Sequence, residues 1–187
     1  HNHRGDETLL VYPETLLGMT RWLQREFQFD MLVDVCGNDY PEREKRFEVI
    51  YHFLATQSWK RIRLKVQLAE GETVPSLHQQ FKTANWYERE TWDMYGIVFE
   101  GHPNLRRILT HWKFEGHPLR KDYDKEHRQY LEEVAPIEWF GVKARRKEDG
   151  SETRVLNIGP SHPVTHGIVR MMVEMDGETM LGGELEI

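Results

Sequence analysis

Two stretches of the chain carry apolar residues at the spacing of a helix. Over residues 13–27 these residues recur every three or four positions, as on one face of an amphipathic helix, and Pro13 suits its first turn. A second helix is predicted over residues 76–95, with Gly96 as its C-cap. The first half of the sequence therefore has a predicted helix near each of its ends.

Three strand-like stretches lie between these helices, over residues 31–35, 47–54 and 62–68. The last alternates apolar with basic or polar residues, which is typical of a half-buried strand whose polar side faces water. Helix, antiparallel strands and helix in this order predict a small α+β layer.

The pattern changes after Gly96. Residues 96–123 hold glycines, prolines and many charges with little periodicity, which predicts an extended C-terminal tail. From Arg154 the chain is strand-like again, with a strand, a loop over 159–167, a second strand and the start of a third. We therefore predict a domain over residues 1–123, a linker over 124–153 and a β-hairpin region over 154–187.

Composition narrows the possible functions. The chain has 187 residues and a net charge of −6, which makes nucleic acid an unfavourable partner. Its single cysteine, Cys36, allows no internal disulfide and no iron–sulfur cluster held by this chain alone, and we expect it to pack as a small buried side chain. No stretch is long and apolar enough to span a membrane. Because the first residue is not Met, we expect a piece of a longer polypeptide.

The tail is basic although the protein is acidic. Residues 101–128 carry seven Lys and Arg against four Asp and Glu. Gly-His-Pro occurs twice there, at His102 and His117, and we favour structural turns whose imidazoles bond the backbone over a metal site. We expect the cationic side chains of this tail to bind carboxylates or carbonyls of a partner; they are Arg106, Arg107, Arg120 and Lys121.

A second pair of histidines, His162 and His166, lies in the loop between the last predicted strands. Pro163 between them and the absence of an intervening Glu exclude the helical zinc pair. An imidazole at the tip of such a loop could donate a hydrogen bond to a carbonyl oxygen and deliver a proton near neutral pH. Two ordinary turn histidines explain the pattern equally well.

Several long motifs resemble a known family. ERETWDMYG over 88–96, GHPNLRRILT over 101–110 and FEGHPLRKD over 114–122 resemble the 30-kDa, or C-type, component of respiratory complex I. NIGPSHPVTHG over 157–167 resembles the opening of the 49-kDa, or D-type, component, with Ser161 where that family has Gln. Their order in one chain resembles the fused C/D subunit of some bacteria, with the D-like part truncated.

The resemblance implies a role in the peripheral arm of proton-pumping NADH:quinone oxidoreductase, a translocase on the cytoplasmic side of a bacterial inner membrane. It implies that His166 is catalytic and binds quinone, that His162 assists in binding quinone, and that this chain holds no metal. Quinone would be the substrate, and iron–sulfur clusters and FMN would lie on partner subunits. The partners would be other peripheral-arm subunits, notably the cluster-bearing one beside the quinone site, and membrane-arm subunits.

Two alternatives remain open. The large subunit of a membrane-bound [NiFe] hydrogenase belongs to a related family, but its loop lacks the second histidine that is His166 here. The other alternative is a docking or assembly module with no activity of its own, and we expect the isolated chain to be inactive.

Overall fold

The computed structural model describes residues 2–3, 6–130, 141–148, 150–161 and 169–186. The chain divides into two compact units, residues 1–131 and 132–187. The first unit combines helices with sheets and the second contains a three-stranded sheet, which confirms the α+β class. The three-part division at residues 123 and 153 stays a prediction.

A five-stranded sheet forms the centre of the first unit. Its elements run in the order β1 (Asn2–His3), β2 (Asp6–Val11), a 3-10 turn (Pro13–Thr15), α1 (Leu16–Phe27), β3 (Met31–Asp39), β4 (Phe47–Ala55), β5 (Lys60–Leu68), β6 (Thr73–Pro75), α2 (Ala84–Tyr95) and β7 (Val98–Glu100). The strand order is β1-β2-β5-β4-β3, while β6 and β7 form a separate parallel pair. Strand β2, which the sequence pattern did not predict, runs parallel to β5, so the sheet is mixed.

The core lies on one face of this sheet, because alternate positions of the two central strands point to it. From β4 and β5 these are Phe47, Val49, Tyr51, Phe53, Ile62, Leu64, Val66 and Leu68, and α1 adds Leu16 and Leu23. Burying each such side chain contributes about 1.5–3 kcal/mol. The predicted strand pattern is thus confirmed, and the intervening polar residues form the outer face of the sheet.

Helix α2 begins at Ala84, eight residues later than predicted. Pro75 ends β6, and the backbone from Leu77 then makes two successive turns instead of a helix. The carboxylate of Glu88 holds this turn by accepting the N–H of Leu77 at 2.7 Å. The predicted C-cap is confirmed, since Gly96 is left-handed with φ +78° and donates to Trp92 at 2.7 Å.

Helix α2 also covers β3, the edge strand of the sheet. The Thr91 hydroxyl donates to the backbone carbonyl of Val35 at 3.2 Å, which ties the helix to this strand. A Cβ atom at Gly37 would lie 2.6 Å from the Tyr95 ring, so only glycine allows this close packing.

The second unit is an antiparallel sheet of β8 (Arg154–Ser161), β9 (Val169–Asp176) and β10 (Thr179–Glu186), in the order β10-β9-β8. The two strands and the start of a third that the sequence predicts are confirmed. β9 provides the buried side chains Met172 and Val173.

Residues that precede β8 attach to β9 through ionic contacts. Arg145 grips the buried carboxylate of Glu174 with N–O distances of 2.6–3.0 Å, and the Thr153 hydroxyl donates to the same carboxylate at 2.7 Å. Lys147 pairs with Asp176. Part of the stretch predicted as a linker is therefore packed on this sheet.

Candidate functional site

The segment that carries the most specific sequence motifs, residues 101–123, contains no helix or strand. We call it the anchored segment, because hydrogen bonds to α2 and to the sheet hold it along its length. A chain without regular structure must satisfy its backbone N–H and C=O groups elsewhere. The side chains that do so are therefore the first candidates for functional importance.

Asp93, near the end of α2, is the central acceptor. Its Oδ2 accepts the backbone N–H groups of Ile108, Leu109 and Thr110 at 2.9–3.0 Å, and its Oδ1 accepts from the Thr110 hydroxyl and Arg107. The side chain is fully buried. Burial raises the pKa of Asp93, but the hydrogen bonds from Thr110, Ile108 and Arg107 outweigh it and leave the pKa below its usual value. Asp93 is therefore a charged, structural carboxylate.

The arginines bind carbonyls of their own chain. Arg89 on α2 donates to the carbonyls of Arg106 and Arg107, at 3.1 and 2.8 Å. Arg107 reaches the Gly116 carbonyl at 2.9 Å, in addition to Asp93. Arg120 likewise binds its own chain, since it donates to the Tyr95 carbonyl at the end of α2. Binding of these cationic side chains to a partner stays a prediction.

Both Gly-His-Pro histidines bond the backbone, which confirms the structural interpretation. The imidazole of His102 lies 2.9 Å from the Asn85 carbonyl, and that of His117 lies 3.0 Å from the Asp93 carbonyl. Burial is the main cause that lowers the pKa of each ring. Both are neutral near pH 7 and donate one N–H to α2.

A second contact fixes the end of the anchored segment to the sheet. Arg46 forms a bidentate salt bridge with Asp39, with N–O distances of 2.7 and 2.9 Å, and a second salt bridge with Asp122. Asp39 accepts the backbone N–H of Lys121 as well, at 2.7 Å. The hydrogen bond from Arg46 is the main cause that holds the pKa of Asp39 below its usual value.

These contacts give the anchored segment one defined shape on the surface of the first unit. It exposes the large apolar side chains Leu109 and Leu119. The buried carboxylates of α2 and β3 bind its backbone N–H groups and its guanidinium groups, which is the chemistry of a structural cluster. The arrangement can present a fixed surface to a partner.

The sequence analysis missed Asp93 and Asp39 as organising residues. A signal for them was present, because a basic, glycine- and proline-rich stretch next to an acidic helix end requires nearby acceptors for its N–H groups. The sequence does not indicate which acidic residues accept these hydrogen bonds, because the residues in contact are distant in sequence.

The predicted quinone-site residues, His162 and His166, lie outside the described residues. Their surroundings are described on both sides: Ser161 at the end of β8 pairs with Val169 at the start of β9. In sequence they therefore lie between two paired antiparallel strands. Their roles stay a prediction.

Within the described ranges, one trio of metal-ligand types lies close together: Asp34, Cys36 and His52, on the outer face of the first sheet. Cys36 is half-buried there, whereas the sequence analysis expected a fully buried side chain. Neither α1 nor α2 is long and apolar enough to cross a bilayer.

Comparisons with known proteins give consistent matches. The family model of the respiratory-chain NADH dehydrogenase 30-kDa subunit matches residues 9–129. The C/D subunit of NADH-quinone oxidoreductase from Bdellovibrio bacteriovorus is 46% identical over 190 aligned positions, which cover 98% of this chain and 33% of that protein. The C-type subunit from Agrobacterium fabrum is 51% identical over 121 positions, covering 64% of this chain and 60% of that protein. The chain thus spans about a third of the first relative and less than two-thirds of the second.

A solved structure shares the fold. A chain of the membrane-bound sulfane sulfur reductase, an archaeal respiratory membrane complex, matches with a TM-score of 0.58 and 21% identity, covering 71% of this chain and 86% of that chain. At this identity the match shows a common fold alone.

Proposed function

The chain belongs to the family of the 30-kDa subunit of the respiratory-chain NADH dehydrogenase, and from this premise we propose that it works in the peripheral arm of a proton-pumping NADH:quinone oxidoreductase. The observation that carries the proposal is the 46% identity with a fused C/D subunit over 98% of the chain. This match extends across both units, so the order of a C-like part and a D-like part is shared as well.

The first unit acts as a scaffold. Its anchored segment is held by the buried Asp93 and by Asp39, and the segment exposes Leu109 and Leu119 on a fixed backbone. A surface whose shape is set before binding loses little conformational entropy on assembly. Such a surface suits permanent contacts with neighbouring subunits.

The second unit contributes the loop of the quinone-reduction site. His166 donates a hydrogen bond to a quinone carbonyl oxygen and supplies a proton as that oxygen gains electron density, while His162 assists in binding. Reduction of quinone to quinol takes up two electrons and two protons. An imidazole is suited to this transfer because its usual pKa of about 6.5 lies near physiological pH.

The electrons come from partner subunits that carry FMN and iron–sulfur clusters, because the chain has one cysteine and cannot ligate a cluster by itself. The neighbours are the cluster-bearing subunit beside the quinone site, other peripheral-arm subunits and the membrane arm. The complex sits at the cytoplasmic side of a bacterial inner membrane.

The test is quinone reduction by membranes that carry His166→Ala in the complete protein. We expect NADH-driven quinone reduction to fall at least about a hundredfold, because a positioned acid or base typically contributes 10²–10⁴-fold. NADH-to-ferricyanide activity, which needs only the upstream electron path, should be unchanged. His127→Ala, at an exposed histidine of the first unit, is the matched control.

Three results would contradict the assignment. Normal quinone reduction in His166→Ala membranes would make the loop structural. An equal loss with His162→Ala would remove the distinction between the two histidines. Loss of both activities, with the assembled complex still present, would place the defect upstream of quinone.

A second candidate function is a docking module without activity of its own. It is favoured because the charged clusters around Asp93 and Asp39 hold the backbone in place. The sulfur reductase match adds that this fold occurs in another respiratory complex. Specific quinone binding by this chain alone would argue against the docking module.

A further inference from the structure

The outer face of the first sheet brings together a carboxylate, a thiol and an imidazole. Asp34 and Cys36 are two positions apart on β3, and His52 on β4 is the register partner of Asp34. One potential ligand atom from each side chain lies within 4.8 Å of the others, and all three residues are half-buried. This mixture of sulfur, nitrogen and oxygen is unusual on a strand surface that otherwise carries charges and aliphatic groups.

A β-bulge in β3 creates this arrangement. The pairing with β4 shifts between Leu32 and Asp34, and the inward, buried residues on either side are Leu32 and Val35, three positions apart instead of two. In a regular strand Asp34 would share the core face with Leu32. The bulge turns Asp34 to the outer face beside Cys36, and bulges commonly redirect side chains at functional sites.

We propose that Asp34, Cys36 and His52 form a binding site for a divalent metal ion of the zinc type. Thiolate, imidazole and carboxylate are the three ligand classes of Zn²⁺. A tetrahedral ion with bonds of about 2.0–2.3 Å holds its ligand atoms about 3.5 Å apart. Side-chain movements of about 1 Å therefore suffice to close the site.

A cavity lies beside two of the three residues. A cavity of about 430 Å³ is lined by Asp34 and His52 and also by Arg61 and Arg63. It would give room for water or a small anion beside a bound ion, and the two guanidinium groups would favour an anion there. Sites with three protein ligands and an open position are those in which zinc remains accessible to solvent.

The electrostatic surroundings contain both signs of charge. The pKa of Glu90 on α2 is raised. Partial burial is the main cause, and the nearby carboxylate of Asp34 is the second. Burial and the Asp34 carboxylate raise the pKa of the Cys36 thiol to about 11. The positive charge of Arg63 favours the thiolate but offsets only part of this rise. A metal ion must therefore displace the thiol proton, as zinc does in thiolate sites.

The experiment is a titration of the purified protein with Co²⁺ alone, followed by competition with Zn²⁺. We expect one ion per chain, with a near-ultraviolet thiolate-to-cobalt band that Zn²⁺ abolishes. X-ray absorption of the zinc-loaded protein should show one sulfur at about 2.3 Å and nitrogen or oxygen at about 2.0–2.2 Å. This second measurement needs no variant.

Three variants complete the test. Cys36→Ser should remove the thiolate band, and His52→Ala should weaken Zn²⁺ affinity more than about tenfold, since even residues outside the ligand set contribute 10–100-fold. His127→Ala, at an exposed histidine far along the chain, should leave both unchanged. Absence of sulfur around the bound zinc, absence of stoichiometric binding, or unchanged affinity in a folded His52→Ala variant would each overturn the proposal.

Discussion

The buried carboxyl of Glu88 makes the stability of the first unit depend on pH. The side chain is fully buried on α2; its oxygens accept from the Ser76 hydroxyl at 2.5 Å and from the Leu77 N–H at 2.7 Å. No cation pairs with it among the described residues. Burial raises its pKa from the usual 4.5 to about 7, and the two hydrogen bonds offset only part of that effect.

The sign of the pH dependence follows from proton binding. Between pH 4.5 and about 7 the folded protein holds a proton on Glu88 that the unfolded chain has lost. The free energy of unfolding therefore falls as pH rises through this window and becomes constant above it. Over the whole window the free energy of unfolding should fall by roughly 3 kcal/mol, since a shift of one pKa unit corresponds to about 1.4 kcal/mol.

Glu88→Gln tests this reasoning, because the amide keeps an acceptor for Leu77 and a donor for Ser76 but carries no charge. Urea unfolding at about pH 4 should show similar stability for both proteins. At about pH 8 the variant should be more stable than wild type by up to roughly 3 kcal/mol. Glu100→Gln, at an exposed acid at the end of β7, is the control that should follow wild type. Parallel pH profiles for wild type and Glu88→Gln would refute the argument.

Three further changes probe the first unit. Asp93→Asn should destabilise it by about 3 kcal/mol or more, because Arg107 loses a buried partner, and limited proteolysis should then cut within residues 101–123; an unchanged digestion pattern would argue against the anchoring role. Gly96→Ala should cost about 1–2 kcal/mol from its left-handed backbone alone and more from the His117 ring, 2.7 Å from the new Cβ; thermal unfolding measures this, and an unshifted midpoint would contradict it. Tyr51→Phe should leave the free energy of unfolding unchanged or raise it by up to about 1–3 kcal/mol, because the buried hydroxyl loses its solvation on folding and has no hydrogen-bond partner among the described residues; a large loss in urea unfolding would reveal a partner.

Elements with a strong local period were predictable from the sequence. Strands β4 and β5 match the predicted stretches to within one or two residues at each end, and α1 follows the predicted helix. Helix α2 was placed eight residues too early, because residues 76–83 have helix-compatible composition but turn to meet Glu88. Strand β2 was missed, since its parallel partner β5 lies about fifty residues away in sequence.

The sequence by itself determined the fold class, the C-cap at Gly96, the backbone-bonded His102 and His117, and the family, because each depends on neighbouring residues or on a contiguous motif. Only the tertiary structure decided which acids hold the anchored segment and that a one-residue bulge places Asp34 beside Cys36 and His52. Those features arise where side chains distant in sequence converge, and a single inserted residue in a strand reverses the face of every position after it. No local pattern of hydrophobic and polar residues encodes such a convergence.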